Sequence, residues 1–376
     1  MRKRILARST LVLAIVLAVS LLAGVVSAAP SSQAGPTLRI QAGAGEQTVS
    51  INQYLVPGAG SSVIIPVGGT VQWTIGSDEQ HTITFLGDRP RPEPFLPPDA
   101  TSQGRPIVNG LVFDPPQSNA PWDGTTYVNS SPIGRGQDFS VTFAAAGNYP
   151  YVCLFHPEMT GLVTVVPAGA PVITSQADVD NYRTSHIAQH QPGIAQLQAV
   201  RSIPVQEAGP NSTTLHFVRA GTRDRSQGGH VEFLAFLPDN VTVSQGDMVI
   251  WYNDDPVAPH TVTFIPPGQD PPDFIAVQLP DGSIVSPSQL GPPPGGPPPA
   301  GVPVPRAVGG NGVFPTLPTT TYSDPSLLYN SGIFSDDVPP AGSAFALTFD
   351  APGTWQYICL IHAEDGMVGT VTVLPR

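Results

Sequence analysis

The sequence predicts an all-β protein built from two tandem Greek-key β-sandwiches with long, Pro- and Gly-rich loop insertions. Three observations carry this. The chain has 376 residues, more than one small sandwich needs. Its 45 prolines and 38 glycines favour turns over regular helix. It also repeats itself, each half carrying the same order of short strand candidates in which apolar and polar residues alternate.

The first 28 residues read as an export signal. Arg2, Lys3, Arg4 and Arg8 form a basic start, an apolar run spans Leu11 to Val26, and Val26-Ser27-Ala28 offers a small-residue cleavage site. An uncleaved N-terminal membrane anchor is the alternative, since the run is nearly long enough to span. No Cys stands near the cleavage point to carry a lipid, and no later stretch is apolar for long enough to cross a bilayer. Removing the four positive charges of this segment takes the formal net charge from −12 to −16. An acidic chain without basic clusters argues against nucleic acid and anionic lipid as partners. It suits a basic redox partner.

The repeat defines the halves. Thr70-Val-Gln-Trp73 followed by His81-Thr-Ile-Thr-Phe85 is matched by Asp247-Met-Val-Ile-Trp251 followed by His260-Thr-Val-Thr-Phe264. Further on, Phe139-Ser-Val-Thr-Phe143, Gly147 and Tyr151-Val-Cys153 are matched by Phe345-Ala-Leu-Thr-Phe349, Gly353 and Tyr357-Ile-Cys359. Leu162-Val-Thr-Val165 and Thr370-Val-Thr-Val373 close the two halves. Short strands of Val, Ile, Thr and aromatics at this spacing indicate β-sandwiches. The first is placed at residues 37–167 and the second at 212–376. A polar linker, 168–211, joins them, with helical composition from Asp178 to Gln191 and Pro192 as its stop. Insertions at 87–136 and 266–341 separate each upstream His from its Cys, and the second holds the proline-dense stretch Pro292 to Pro305.

Two cysteines in an exported chain ordinarily suggest a disulfide. Their surroundings point elsewhere. The first half reads Cys153-Leu-Phe-His156-Pro-Glu-Met159, the second Cys359-Leu-Ile-His362-Ala-Glu-Asp-Gly-Met367. A thiolate, an imidazole and a thioether on one loop, with a distant His, make up a trigonal copper site with a weak axial ligand. A Cys153–Cys359 disulfide would have to join equivalent interior positions of separate sandwiches, against disulfide geometry.

Both halves resemble cupredoxins, the small blue-copper proteins that include plastocyanin and amicyanin. The first loop, Cys-x2-His-x2-Met, is similar to the amicyanin loop, and the second, Cys-x2-His-x4-Met, to the plastocyanin loop. The resemblance covers the core strands of both halves but not the linker or the insertions. It implies one type 1 copper per half, held by His81, Cys153, His156 and Met159 and by His260, Cys359, His362 and Met367. It further implies that His156 and His362 lie near the surface, where electrons enter or leave. One departure stands out. Those proteins commonly have Asn after the upstream His, pinning the Cys loop, whereas Thr82 and Thr261 stand there in this chain.

Multicopper oxidases need His-x-His pairs, and none occurs here. Two-domain nitrite reductases place a His beside the copper Cys, but Cys153 is flanked by Val152 and Leu154, and Cys359 by Ile358 and Leu360. His186 and His190 stand four apart on the linker helix, a spacing that can bind a metal ion but also suits two solvated residues. His216 and His230 read as ordinary sandwich residues. The expectation is an exported, periplasmic or extracellular electron carrier rather than an enzyme, with protein redox partners. Copper sequestration or delivery, and a copper-dependent reductase, are the alternatives.

Overall fold

Alternation of apolar and polar residues fixes the two faces of each strand. Along Thr70–Ser77 every second side chain, from Val71 through Trp73 and Ile75 to Ser77, is buried. The same pattern recurs in Thr160–Val166 and Val368–Leu374. The computed structural model describes residues 35–376 except 59, 114–120, 172, 225–229, 256–257, 291–304, 318 and 335–343. The export segment, 1–28, and all but the last residue of the proline-dense stretch lie outside the described residues. Among the described residues no helix is long and apolar enough to cross a membrane.

Each half is two packed sheets, so the fold is all-β. In the first half, Val49–Tyr54, Thr37–Gly45, Thr70–Ser77 and Asp138–Thr142 lie side by side in one sheet. The other sheet runs Ser62–Pro66, Thr160–Val166, Gly147–Val152, Thr84–Phe85 and Val128–Asn129. The second half repeats this with Val231–Leu237, Thr214–Asp224, Met248–Asn253 and Ala344–Phe349 against Asn240–Ser244, Val368–Leu374, Gly353–Ile358, Thr263–Phe264 and Tyr329–Asn330. Trp73, Phe85 and Tyr151 centre one core, and Trp251, Phe264 and Tyr357 the other. Their rings meet at 5.1–5.9 Å between centroids, mostly edge to face, the arrangement aromatic quadrupoles favour.

The halves are joined along their edges. Val49–Tyr54 pairs antiparallel with Val231–Leu237, placing Ile51 opposite Val231, Ser50 opposite Glu232 and Val49 opposite Phe233. Two sheets thereby become one ten-stranded sheet. Beneath this seam a third cluster forms from Ala44, Ile51, Leu55, Val231, Phe233 and Leu237.

The connecting segment differs from expectation in two respects. Its helix runs Gln176–Ala199 and passes straight through Pro192. Ser175 starts it with a capping box, its hydroxyl accepting from the Asp178 N–H while the Asp178 carboxylate accepts from the Ser175 N–H. Proline removes one backbone bond at a cost of about 3 kcal/mol. Ile187, Ile194 and Leu197 pack on the seam cluster and offset that loss. Val205–Ala208, within the polar linker, is a strand that pairs with Thr214–Asp224.

The insertions are also more than loops. Phe95–Leu96 and Ile107–Val108 from the first join Ile275–Gln278, Ile284–Val285 and Arg306–Gly309 from the second in one small sheet, with Val308 opposite Ile107. The Arg306 guanidinium binds both oxygens of Asp99 across it, at 2.6 and 3.0 Å.

Candidate metal centres

The pairing of strands brings the predicted donors together. His81 stands just beyond Thr70–Ser77 and bridges to Ile133, and His260 bridges to Phe334 in the same way. Cys153 directly follows Gly147–Val152, and Cys359 follows Gly353–Ile358. Each loop closes on itself, the Cys153 N–H donating to the Met159 carbonyl at 2.9 Å and the Cys359 N–H to the Met367 carbonyl at 3.1 Å.

In the first half the His81 and His156 Nδ1 atoms are 3.1 Å apart, and the Cys153 Sγ lies 3.9 and 3.3 Å from them. The centre of that triangle is about 2 Å from each corner, the length of a metal–nitrogen bond. In the second half the Cys359 Sγ lies 3.9 Å from the His260 Nδ1 and 3.6 Å from the His362 Nδ1. Two imidazoles and a sulfur at trigonal spacing, all buried, fit a copper ion. Met159 and Met367 are fully buried in the same cores as their cysteines.

Electrostatics prepare the thiols. Burial alone would raise them, but His156 and His81 outweigh it and hold Cys153 well below its usual range. His362 and His260 do the same to Cys359. A thiolate is the form that binds metal.

Gly43 and Gly221 contribute by having no side chain. Both take positive φ, +70° and +72°, and a Cβ would lie 2.4 Å from the His81 Nε2 or 2.2 Å from the His260 Nε2. Ser77 Oγ holds the His81 Nε2 at 2.8 Å, which leaves Nδ1 toward the thiolate.

The threonines after each upstream His make the pinning contacts. The Thr82 N–H points to the Cys153 Sγ at 3.4 Å, and its hydroxyl accepts from the Leu154 N–H at 2.8 Å. Thr261 serves Cys359 and Leu360 identically, at 3.4 and 2.7 Å. The residue type differs from the family's habit, but the hydroxyl reaches the same loop.

The loop histidines are not at the surface. His156 is 4% exposed and His362 5%. A sandwich alone would leave this edge open, but here the other half covers it. His156 Nε2 meets the Glu79 Oε1 at 2.8 Å, and Glu232 of the second half joins them. Glu232 is fully buried and bonds Arg223, which reaches Glu158 on the first Cys loop at 3.2 Å and Asp255 at 3.2 Å. Burial would raise Glu79, but His156, then His81 and His362, hold it well below the usual carboxylate range. The second site's loop also lies against the first half, since a Cβ on its Gly366 would come 3.7 Å from the Thr48 Cγ2. From the first insertion, Arg91 caps the Cys153 carbonyl at 2.6 Å. Sequence reasoning missed Glu79, Glu232, Arg223 and the two glycines. Only the glycines left a trace, in the matched Ala42-Gly43 and Ala220-Gly221 pairs of the opening strands.

Residues 321–374 match the family model of copper-binding proteins of the plastocyanin/azurin family. Among curated proteins none matches the chain. Of solved structures, a mutant of amicyanin in its Cu(I) form overlaps 35% of this chain and 82% of its own length at 19% identity, with a TM-score of 0.21. Oxidised plastocyanin from Dryopteris crassirhizoma overlaps 42% of this chain and 99% of its own length at 20% identity, also with a TM-score of 0.21. Such overlaps are too partial to bear on the sites. The family match falls on the stretch that carries Cys359, His362 and Met367, where the donor set is also built, and it makes that stretch similar to the copper-binding proteins of the plastocyanin/azurin family.

Proposed function

We propose that the chain is an exported electron carrier, not an enzyme, with two mononuclear type 1 copper sites. His81, Cys153 and His156 would hold one ion and His260, Cys359 and His362 the other, with Met159 and Met367 as axial ligands. Copper held this way supplies one-electron exchange between Cu(I) and Cu(II). The protein's contribution is a fixed cradle in each half, with ligands on loops tied to strands. The convergence of two nitrogens and one thiolate twice, with the donors of each set within 4.8 Å of one another, carries this reading.

Burial of every ligand disfavours copper storage or delivery, which needs donors that an exchange partner can reach. Export rests on the N-terminal segment, and the acidic surface suits a basic protein partner. The test is copper stoichiometry with visible absorption, before and after Cys153→Ser and Cys359→Ser. Two ions and an intense thiolate-to-copper band, about half lost in each variant, are expected. A colourless copper-loaded chain, or a band indifferent to both substitutions, overturns the reading.

A further inference from the structure

Away from both thiolate sites, the helix Gln176–Ala199 sets His186 and His190 one turn apart on one face. They are not a solvated pair. His190 is 1% exposed, and neighbouring Ile187 and Ile194 pack on the seam. The two Nε2 atoms lie 3.2 Å apart. Gln53, on the seam strand Val49–Tyr54, brings its Oε1 within hydrogen-bond distance of the His186 Nε2. Asp224 lies against the next turn of the helix, where a Cβ on Gly193 would come 2.1 Å from its Oδ2.

Hydrogen bonding among the three groups is crowded at this junction. A neutral imidazole nitrogen offers either one hydrogen or one lone pair. With the hydrogen on His186, Gln53 and the His190 lone pair must share it. With the hydrogen on His190, His186 accepts it and Gln53 is left to Tyr182, whose side chain also bonds it. With hydrogens on both, two N–H groups point at each other. Turning the Gln53 amide over leaves its N–H competing with His190 for one lone pair.

A metal ion is a common partner for all three, because two lone pairs and an amide oxygen can all point at one centre. Two nitrogens bound at about 2.0–2.1 Å stand about 3.2 Å apart when the angle between them lies between a right angle and tetrahedral. Burial also keeps the rings neutral, lowering His186 from its usual value and His190 to about 4. Their lone pairs are therefore free near neutral pH.

We propose that His186, His190 and Gln53 bind a divalent transition-metal ion of the zinc type, independent of the two thiolate sites. Water would fill the remaining positions. The ion fastens the connecting helix to the strand at the junction of the halves, so its role is structural.

The test is zinc bound per metal-free chain by equilibrium dialysis, with the thermal midpoint followed in parallel. Wild type should take one zinc more than His186→Gln or His190→Gln, since anything the thiolate sites take is common to all three. Zinc should raise the midpoint more in wild type than in either variant. Gln53→Ala should weaken the extra zinc by about tenfold or more. His186→Gln keeps a polar group of similar reach, and circular dichroism checks that it folds. Equal zinc counts in wild type and both folded variants would overturn the proposal and leave a shared-proton pair in its place.

Discussion

The Glu79 carboxylate meets the Nε2 edge of His156 at 2.8 Å, on the side of the ring away from Cys153. A buried negative charge there stabilises the more positive state of any ion held at Nδ1. In the copper-loaded chain, Glu79→Gln keeps an acceptor for the His156 N–H but removes the charge. The first site's reduction potential should rise by about 40 mV or more, about 1 kcal/mol for one electron. The second site should move less in the same direction, since Glu79 also attracts His362. Spectroelectrochemical titration of both sites reads this, and a fall in either potential counts against the assignment.

Gly43→Ala and Gly221→Ala each push a methyl group into an upstream ligand ring. Each should abolish copper binding at its own site and spare the other, so absorption falls by about half, as for loss of one of two equal chromophores. Positive φ adds about 1 kcal/mol of backbone strain on top. Copper counts of two in either variant would show that the rings can move aside.

Thr82→Val and Thr261→Val keep the backbone N–H that faces sulfur but remove the hydroxyl that accepts from Leu154 or Leu360. Each leaves a buried N–H unpaired, costing about 1–3 kcal/mol. The expected result is a lower denaturation midpoint together with a shifted thiolate-to-copper band at the affected site. A Ser variant, which restores the hydroxyl, should recover most of the loss.

Arg223→Met removes the cation that holds Glu232 and Asp255, both buried, and releases Glu158. Stranding buried carboxylates costs about 3–5 kcal/mol. Urea unfolding should show that loss in one transition, because the substitution strikes the junction shared by both halves. A second substitution, Glu232→Gln, should return part of it.

Acid should destabilise the chain with a definite sign. Burial would raise Asp247, but N–H donors of Thr214 and Ser244, both at 2.9 Å, outweigh it and hold the carboxyl below its usual 3.8. Its contribution is therefore full above that value and is lost as pH falls through the lower folded value. His216, kept below 6.5 chiefly by burial, acts in the same direction, since acid charges it more readily in the unfolded chain. Stability should drop from about pH 6.5 downward and continue dropping below about pH 4. Asp247→Asn should start lower at neutral pH yet flatten the acid limb, as urea midpoints across that range will read.

The donor set was legible because it is local and doubled. Cys153, His156 and Met159 fall within one short loop, and the match to Cys359, His362 and Met367 made both sets candidates together. What escaped was everything that depends on packing between segments far apart in sequence. Glu79 and Glu232 are separated by more than a hundred residues and meet only because Ser50 pairs opposite Glu232. The same pairing hides His156 and His362, whose exposure was inferred from single sandwiches. Pro192 was misjudged because local rules count the lost hydrogen bond and not the apolar contacts of Ile187 and Ile194. The upstream threonines were read as a departure because a residue name says nothing of which hydroxyl reaches which N–H.

One further consequence follows from the strand Val231–Leu237, in which every residue is buried. Cut the chain between its halves, and this strand becomes a bare, sticky margin, with Val49–Tyr54 left equally uncovered on the other fragment. Unpaired apolar margins of this kind recruit other chains and aggregate. Each half is thus the other's solubilising cover. A gene encoding either half alone should yield insoluble protein.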